Sequence, residues 1–163
     1  MTNLSQIHSR KCLIVVGALV IDQKVLMVYH PKLKIWLAPG GHVEPTETPD
    51  QALVREFKEE VGLNVAPVNF TPIQSDNLNE TLALPFHVDL HSIDQGNCQQ
   101  HVTLAYYVEL TDENREVSPQ PGESERWGWF ANEEVEKLDT RPNVKKIAQL
   151  AIESYPKIIF RNE

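Results

Sequence analysis

The sequence has little cysteine, no excess of positive charge and no apolar run long enough to cross a membrane. Cys12 and Cys98 are its only cysteines, and neither lies in a CxxC or Cys/His ligand spacing. We therefore expect reduced thiols, as in cytoplasmic proteins. The chain carries 15 Lys and Arg against 23 Asp and Glu, for a formal net charge of -8. Because this charge repels nucleic-acid backbones, it argues against general nucleic-acid binding.

The longest apolar run, "CLIVVGALVI" at residues 12–21, follows two basic residues and superficially resembles the core of a signal peptide. No small-residue cleavage pattern follows it, and a run of this length is about half of what a membrane-spanning helix needs. Instead "DQK" leads into a second apolar run, "VLMVYH", as in a β-hairpin. We expect a cytoplasmic protein without a membrane partner.

The length of the chain suits one domain with its own core, and we expect residues 1–163 to form it, with residues 1–10 flexible. The run at 12–21 is rich in Val and Ile, which is typical of a strand buried on both faces. Strand-like and helical segments alternate along the rest of the chain, which predicts an α/β fold, an α/β/α sandwich around a mixed sheet. Further strands are expected near 64–71, 84–93, 101–110 and at "ERWGWF".

The clearest helix is predicted at residues 49–61. Thr48 is a suitable N-cap, Pro49 fits the first helical position and Gly62 provides the stop. Two more helices are expected near the C-terminus, a short one capped by Asn132 and a longer one at 142–154.

Glu56, Glu59 and Glu60 share one edge of the predicted helix, because they stand at i, i+3 and i+4. Like charges at these spacings destabilise a helix unless something compensates them. A solvated acidic face is the ordinary interpretation. Gly40 and Gly41 just before the helix favour another one, since a backbone carbonyl and several carboxylates form an all-oxygen set suited to Mg²⁺ or Mn²⁺.

The same segment resembles the Nudix box, GX5EX7REUXEEXGU, between residues 41 and 63. Every specified position matches, and the matching residues are Gly41, Glu47, Arg55, Glu56, Phe57, Glu59, Glu60, Gly62 and Leu63. The resemblance implies a Nudix-type α/β/α sandwich and a hydrolase that cleaves a nucleoside diphosphate linked to another group, with Mg²⁺ or Mn²⁺. The stretch "ERWGWFANEEVEKL" also resembles a segment found late in the family.

The resemblance also implies roles for individual residues. Glu56 and Glu60 would be the principal metal ligands, Glu59 a further ligand or the base that activates water, and the carbonyl of Gly40 would complete the metal site. Arg55 would orient the carboxylates, with Glu47 as its ion-pair partner. Many members add an acidic residue from outside the box, and this chain offers four candidates: Glu113, Glu116, Glu123 and Glu125.

Candidates for substrate binding lie outside the box. Tyr29 and Trp36 could stack on a base, although core packing is the ordinary role of such side chains. Strand alternation places His87, Asp89 and His91 on one face, which would be either a solvated surface or the floor of a cleft. His87 and His101 are candidates for contacting the substrate, and the spacing of these histidines does not support a zinc site.

No phosphate-binding GxxxxGK[ST] loop, GxSxG elbow or kinase signature occurs. We therefore expect a metal-dependent pyrophosphohydrolase that acts on a nucleoside di- or triphosphate or a nucleoside diphosphate derivative, as a monomer or homodimer. Two different functions stay open. One is a catalytically silent Nudix domain that binds a nucleotide or a protein, and the other is an isopentenyl-diphosphate isomerase, which needs a cysteine.

Overall fold

A computed structural model describes residues 11–71, 73–93 and 98–159 of the chain. Eight strands and three helices follow one another in this part. The elements in chain order are β1 (Lys11–Ile21), β2 (Lys24–His30), β3 (Ile35–Leu37), β4 (Gly40–His42), α1 (Pro49–Glu60), β5 (Val65–Pro67), β6 (His87–Ser92), β7 (Gln100–Leu110), β8 (Trp127–Phe130), α2 (Asn132–Lys137) and α3 (Pro142–Ile159).

The strands form one mixed sheet whose central path runs β3-β2-β1-β7-β5. β1 and β7 pair in parallel, while β4, β6 and β8 add antiparallel to β1, β7 and β2. β1 is therefore the strand on which the sheet is organised, with β2, β4 and β7 as its partners. The predicted α/β fold with a mixed sheet is confirmed.

Two apolar cores cover the two faces of the sheet, because β1 buries its side chains in alternation. Val15 and Leu19 pack on the side of α1, where Leu53 and Phe57 of the helix are fully buried. Ala18 and Val20 point to the opposite side and pack with α2 and α3, whose buried residues include Val135, Ala148, Ala151 and Ile152. Helices on both faces give the α/β/α layering.

The predicted element boundaries need small corrections. The strands near 64–71 and 84–93 are shorter than predicted, since only Val65–Pro67 and His87–Ser92 pair. Asn132 is the first residue of α2, and Ala131 takes the N-cap position. The C-terminal helix extends to Ile159. The predicted flexibility of residues 1–10 concerns residues outside the described part of the chain, and a single domain over 1–163 stays a prediction.

The expected reduced thiols are not what the structure shows, because Cys12 and Cys98 form a disulfide with Cα atoms 5.8 Å apart. Cys12 lies in β1 opposite His101 of β7, and Cys98 precedes β7 by two residues. The parallel pairing of β1 with β7 thus brings together two cysteines that are 86 residues apart. Nothing in the local sequence around either cysteine carries this information.

None of the three helices in the described part of the chain is long and apolar enough to cross a membrane.

The hairpin predicted from "DQK" forms between β1 and β2, and its two turn residues are unusual. Asp22 and Gln23 have φ angles of 49° and 60°, the left-handed backbone of a type I′ turn, which matches the twist of a hairpin. A residue with a side chain pays about 1–2 kcal/mol for this conformation, and glycine does not.

Gln23→Gly should therefore stabilise the protein by about 0.5–1 kcal/mol, since relief of backbone strain outweighs the greater freedom of glycine in the unfolded chain. Equilibrium unfolding in urea measures the change. Gln23→Ala is the matched control, since it removes the same side chain without relieving the strain and should give no gain. Equal stability of the two variants would contradict the strain argument.

Candidate active site

Helix α1 and the loop before it carry the acidic residues of the site. The Thr48 side chain accepts a hydrogen bond from the Gln51 amide, and the Gln51 side chain accepts one from the Thr48 amide, which forms a capping box. Leu53 and Phe57 bury one side of the helix against the sheet. This fixes the rotation of α1, so that Glu56 and Glu60 face β4.

Arg55 is the centre of a charged network. Its Nε and Nη2 donate to the two carboxylate oxygens of Glu47 at 3.1 and 2.7 Å. Nη1 donates to Glu56 at 2.8 Å and to Glu59 at 3.1 Å, and Nη2 also donates to the carbonyl of His42 at 3.0 Å. The ion pair expected between Arg55 and Glu47 is present, and it is bidentate, which is the stronger geometry for a guanidinium.

The electrostatics of the network follow from these contacts. The hydrogen bonds from Arg55 lower the pKa of Glu47, and the same contacts raise the pKa of Arg55. Burial raises the pKa of Glu56, although Arg55 partly offsets the effect. Glu47 and Glu56 are each 14% exposed, whereas Glu59 is 38% exposed. Arg55 therefore pairs with Glu47 through two nitrogens and shares Nη1 between Glu56 and Glu59.

Glu60 is the carboxylate that Arg55 does not reach in this network. It accepts a hydrogen bond from the Gly40 amide at 2.8 Å. Its pKa is raised to about 8, mainly by burial; the Gly40 amide acts in the opposite direction, and the nearby charges of Glu56, Glu123 and Glu59 add to the rise. Within the described part of the chain, no positively charged side chain contributes to offsetting this rise.

The glycines of the box make room for this arrangement. A Cβ on Gly41 would lie 2.3 Å from a carboxylate oxygen of Glu56, so any side chain there would push the carboxylate away. Gly62, with φ at 71°, ends the helix in a left-handed conformation, where a Cβ would lie 2.2 Å from the Ser118 carbonyl oxygen. Gly41 thus brings β4 against the carboxylates, and Gly62 fixes the loop that follows them.

The donor set fits a divalent metal ion. Glu56 and Glu60 are partly buried oxygen donors on the same edge of α1, and burial raises the pKa of each, so a bound cation would favour the charged form of both. Glu59 is bonded to Arg55 and is the most exposed of the three, which suits a further ligand or a base. Gly40 contacts Glu60 through its amide, and a metal-ligand role for its carbonyl stays a prediction.

Glu123 is the acidic residue from outside the box that interacts with the cluster. Its charge helps to raise the pKa of both Glu56 and Glu60. It lies in a turn before β8, where its amide donates to the Gln120 carbonyl. Of the four candidates that the sequence offered, Glu113, Glu116, Glu123 and Glu125, this is the one whose charge contributes to both shifts.

A cleft of about 740 Å³ lies on the other side of β4, on the sheet face away from α1. Gly40 and Gly41 line it, so β4 separates the cleft from the carboxylates of Glu60 and Glu56. Apolar side chains form much of its wall, and polar groups are contributed by Asp89, His91, His101, Thr103 and Arg141. This volume and mixed lining are typical of small-molecule sites.

The predicted substrate-binding residues divide into two groups. His101 lines the cleft, where burial, together with His42, His91 and Arg141, lowers its pKa. The His87 Nε2 lies 3.6 Å from an Asp89 carboxylate oxygen, and Asp89 lines the cleft.

Tyr29 and Trp36 lie elsewhere, in edge-to-face contact with each other at 5.6 Å. Trp36 also packs on Phe130, and the Arg126 guanidinium lies over the Tyr29 ring. Neither ring is among the described residues that line the cleft, so their geometry favours packing over stacking on a base.

The two faces of β6 are the reverse of what polarity alone suggests. His87, Asp89 and His91 are partly buried, whereas Val88 and Leu90 are 53% and 54% exposed. The polar face therefore belongs to the cleft side, as the cleft-floor interpretation of the sequence predicts.

Comparison with known proteins agrees with this geometry. The NUDIX domain model matches residues 13–151, and the chain therefore belongs to the NUDIX family. Nudix hydrolases generally use divalent metal ions. A NUDIX-family hydrolase from Clostridium perfringens has a similar structure, with a TM-score of 0.75 and 32% sequence identity over 88% of this chain and 97% of that one.

Two relatives show how much of the chain the similarity covers. An RNA pyrophosphohydrolase of Hydrogenovibrio crunogenus is 29% identical over 119 residues, which is 70% of this chain and 70% of the relative. The NAD-capped RNA hydrolase NudC of Stutzerimonas stutzeri is also 29% identical, over 72% of this chain. The chain spans 36% of the length of that NudC.

Arg55→Lys should lower kcat by about 10–100-fold, because lysine cannot hold Glu47, Glu56 and Glu59 at once with a planar guanidinium. Steady-state kinetics on a nucleotide that the wild-type enzyme cleaves measure the effect. Lys58→Gln is the control on the same helix, since Lys58 is exposed and bonded to Asn64 rather than to the carboxylates. An Arg55→Lys enzyme with unchanged kcat would refute the network's role in positioning the carboxylates.

Glu60→Gln should stabilise the metal-free protein at pH 8. The folded pKa of Glu60, about 8, lies above its ordinary value of 4.5. Protonated Glu60 therefore makes its full contribution to stability below pH 4.5. This contribution decreases as the pH rises above 4.5 and is lost once the pH passes through 8, where the folded protein also ionises. Glutamine does not ionise, so the variant does not lose this stability as the pH rises.

Thermal unfolding in a chelator at pH 5 and pH 8 tests this. The Tm of Glu60→Gln should exceed that of the wild type at pH 8 by about 3 °C or more, which corresponds to about 1 kcal/mol. The difference should shrink at pH 5. The surface variant Glu80→Gln serves as the control and should follow the wild type at both pH values. A Glu60→Gln protein less stable than the wild type at pH 8 would contradict the burial argument.

Proposed function

We propose that the protein is a metal-dependent pyrophosphohydrolase that cleaves the phosphoanhydride bond of a nucleoside di- or triphosphate or a nucleoside diphosphate derivative. One observation carries the proposal: Glu56, Glu59 and Glu60 converge beside Arg55 and the Gly40–Gly41 backbone, with more negative charge than the protein itself neutralises. Such a cluster in a strongly acidic chain suits a cation that in turn holds phosphate.

In the proposed mechanism Glu56 and Glu60 would hold Mg²⁺ or Mn²⁺, with Glu123 as a further oxygen donor and Glu59 as either a further donor or the base. When bound, the ion supplies positive charge to the phosphate oxygens and lowers the pKa of a coordinated water. Arg55 keeps Glu56 and Glu59 in place by donating to both. Glu59, the exposed member, is the carboxylate best placed to accept the proton of the attacking water.

The cleft beside β4 is proposed to hold the nucleoside part of the substrate. Gly40 and Gly41 line the cleft and also contact the carboxylates, so a substrate can place its base in the cleft and its phosphates over β4. His101 and Arg141 are polar groups in the wall, and the apolar side chains around them favour a flat ring. We propose His101 as a contact to the substrate and His87 as the group that holds Asp89.

RNA ends are the second candidate substrate, because relatives of this chain carry the names RNA pyrophosphohydrolase and NAD-capped RNA hydrolase. The net charge of -8 argues against a long basic path for RNA. An 8-oxo-dGTP diphosphatase of Proteus vulgaris, 31% identical over 53% of this chain, supports a small nucleotide. We therefore propose a small nucleotide as the substrate. The cytoplasmic location, the lack of a membrane partner and a monomeric or homodimeric state stay predictions.

A silent binding module and an isopentenyl-diphosphate isomerase fit the structure less well than a hydrolase. The binding module is disfavoured because all the box carboxylates are retained and converge. The isomerase needs a reactive cysteine, and both cysteines of this chain are joined in a disulfide.

The test is product release from a panel of nucleoside diphosphates, nucleoside triphosphates, nucleotide sugars, dinucleotides and a short 5′-triphosphate RNA, with Mg²⁺ or Mn²⁺. We expect cleavage of one small-nucleotide class, and a loss of kcat of about 10²-fold or more in Glu60→Gln. Glu123→Gln should lose activity as well, whereas Glu125→Gln is its matched control. Cleavage of RNA alone would favour the second candidate, and no cleavage of any member would overturn the proposal.

A further inference from the structure

A second group of possible metal ligands lies apart from the carboxylates. The side chains of Cys12, His42 and Cys98 come so close that one ligand atom from each lies within 4.8 Å of the others. His42 pairs with Ile14 across β4 and β1, and Ile14 stands two residues from Cys12, so His42 and Cys12 share one face of the sheet. This grouping is not evident from the sequence, because the three residues are far apart along the chain.

The distances within the group suit zinc. The Cys98 Sγ and the His42 Nε2 are 3.5 Å apart. With Zn–S bonds of about 2.3 Å and Zn–N bonds of about 2.0–2.1 Å at tetrahedral angles, a sulfur and a nitrogen ligand lie about 3.5 Å apart. Two sulfurs and an imidazole also form a softer donor set than the carboxylates of α1, and such a set selects Zn²⁺ over Mg²⁺ or Mn²⁺.

The group cannot bind a metal ion while the disulfide between Cys12 and Cys98 is intact. Bonded sulfurs offer no thiolate to a metal, so binding requires reduction. The Cα atoms of Cys12 and Cys98 are 5.8 Å apart. Rotation about χ1 alone can therefore separate the two sulfurs to the roughly 3.8 Å that a tetrahedral ion needs, without backbone movement.

His101 gives an independent sign that a polar partner is missing here. Its Nε2 is buried and has no hydrogen-bond partner among the residues that the structure describes. The His101 ring lies 5.1 Å from the His42 ring, and His101 stands directly opposite Cys12 in the pairing of β7 with β1. Because a buried polar atom without a partner costs free energy, a polar group or water held beside the zinc ligands would stabilise this part of the sheet face.

We propose that Cys12, Cys98 and His42 bind one Zn²⁺ ion when the disulfide is reduced, and that oxidation of the two thiolates releases it. Two thiolates, one molecule of a peroxide such as H₂O₂ and two protons give the disulfide and two waters, and the zinc leaves with its charge unchanged. A dithiol reverses the step, because it becomes the oxidised partner while the two protein thiols re-form.

The proposed zinc site lies next to the cleft and to the Arg55 network. Cys98 and His42 line the cleft, and the His42 carbonyl accepts a hydrogen bond from Arg55. The proposal concerns metal binding and does not depend on the proposed hydrolysis, so the two can fail separately.

The experiment uses the full chain in two states, reduced with a phosphine under anaerobic conditions and air-oxidised, both with excess Mg²⁺ to occupy the carboxylates. Zn²⁺ is titrated against a chromophoric chelator, and Co²⁺ is used as a probe because a cobalt–thiolate bond has its own charge-transfer absorption. The reduced protein should bind one zinc per chain and show this absorption, and the oxidised protein should do neither. H₂O₂ should release the zinc from the reduced protein.

Variants separate this site from the carboxylate cluster. Cys98→Ser and His42→Gln should each weaken zinc binding by at least about 100-fold, since even groups that only orient a ligand contribute 10–100-fold. His42 is exposed, so its variant should fold even if Cys98→Ser does not. Glu60→Gln should bind zinc through the thiols as the wild type does. A reduced chain without the cobalt–thiolate absorption, a disulfide that resists reduction in the folded chain, or variants that bind zinc as tightly as the wild type would each overturn the proposal.

Discussion

The contacts of a single guanidinium hold the loop before α1, the helix and β4 together. Arg55 donates to Glu47, Glu56 and Glu59 and to a carbonyl of β4, so it links the loop, the helix and the sheet. Without it, carboxylates at neighbouring helical positions would repel one another. It does not compensate all of them, because the pKa of Glu60 remains raised to about 8. The negative charge that Arg55 leaves uncompensated is what we propose a divalent cation to neutralise.

The fold supplies the rigidity that this network needs. β4 is only three residues long, but its pairing with β1 fixes Gly40 and Gly41 against the carboxylates of α1. The helix is held from the other side by the buried Leu53 and Phe57. β1 thus holds in place the strand that lies between the carboxylates and the cleft, and we propose that the substrate spans β4 to contact both.

Much of this could be predicted from local sequence. The capping residues and Gly62 define α1, and the spacing of the box carboxylates places them on one edge of the helix. The disulfide, by contrast, depends on the parallel pairing of β1 with β7, which no local pattern encodes. The selection of Glu123 among four acidic residues, and the packing of Tyr29 and Trp36 away from the cleft, likewise depend on tertiary contacts. Local chemistry was predictable, and long-range proximity was not.

We propose that Glu56 and Glu60 form the binding site of a divalent cation. Anomalous diffraction from a crystal soaked in Mn²⁺ tests it most directly, because the ion is located without reference to activity. A bound cation should give a peak about 2.0–2.3 Å from carboxylate oxygens of both residues, close to the Gly40 backbone. A fully soaked crystal with no peak there, or with manganese bound only at other acidic groups, would contradict it.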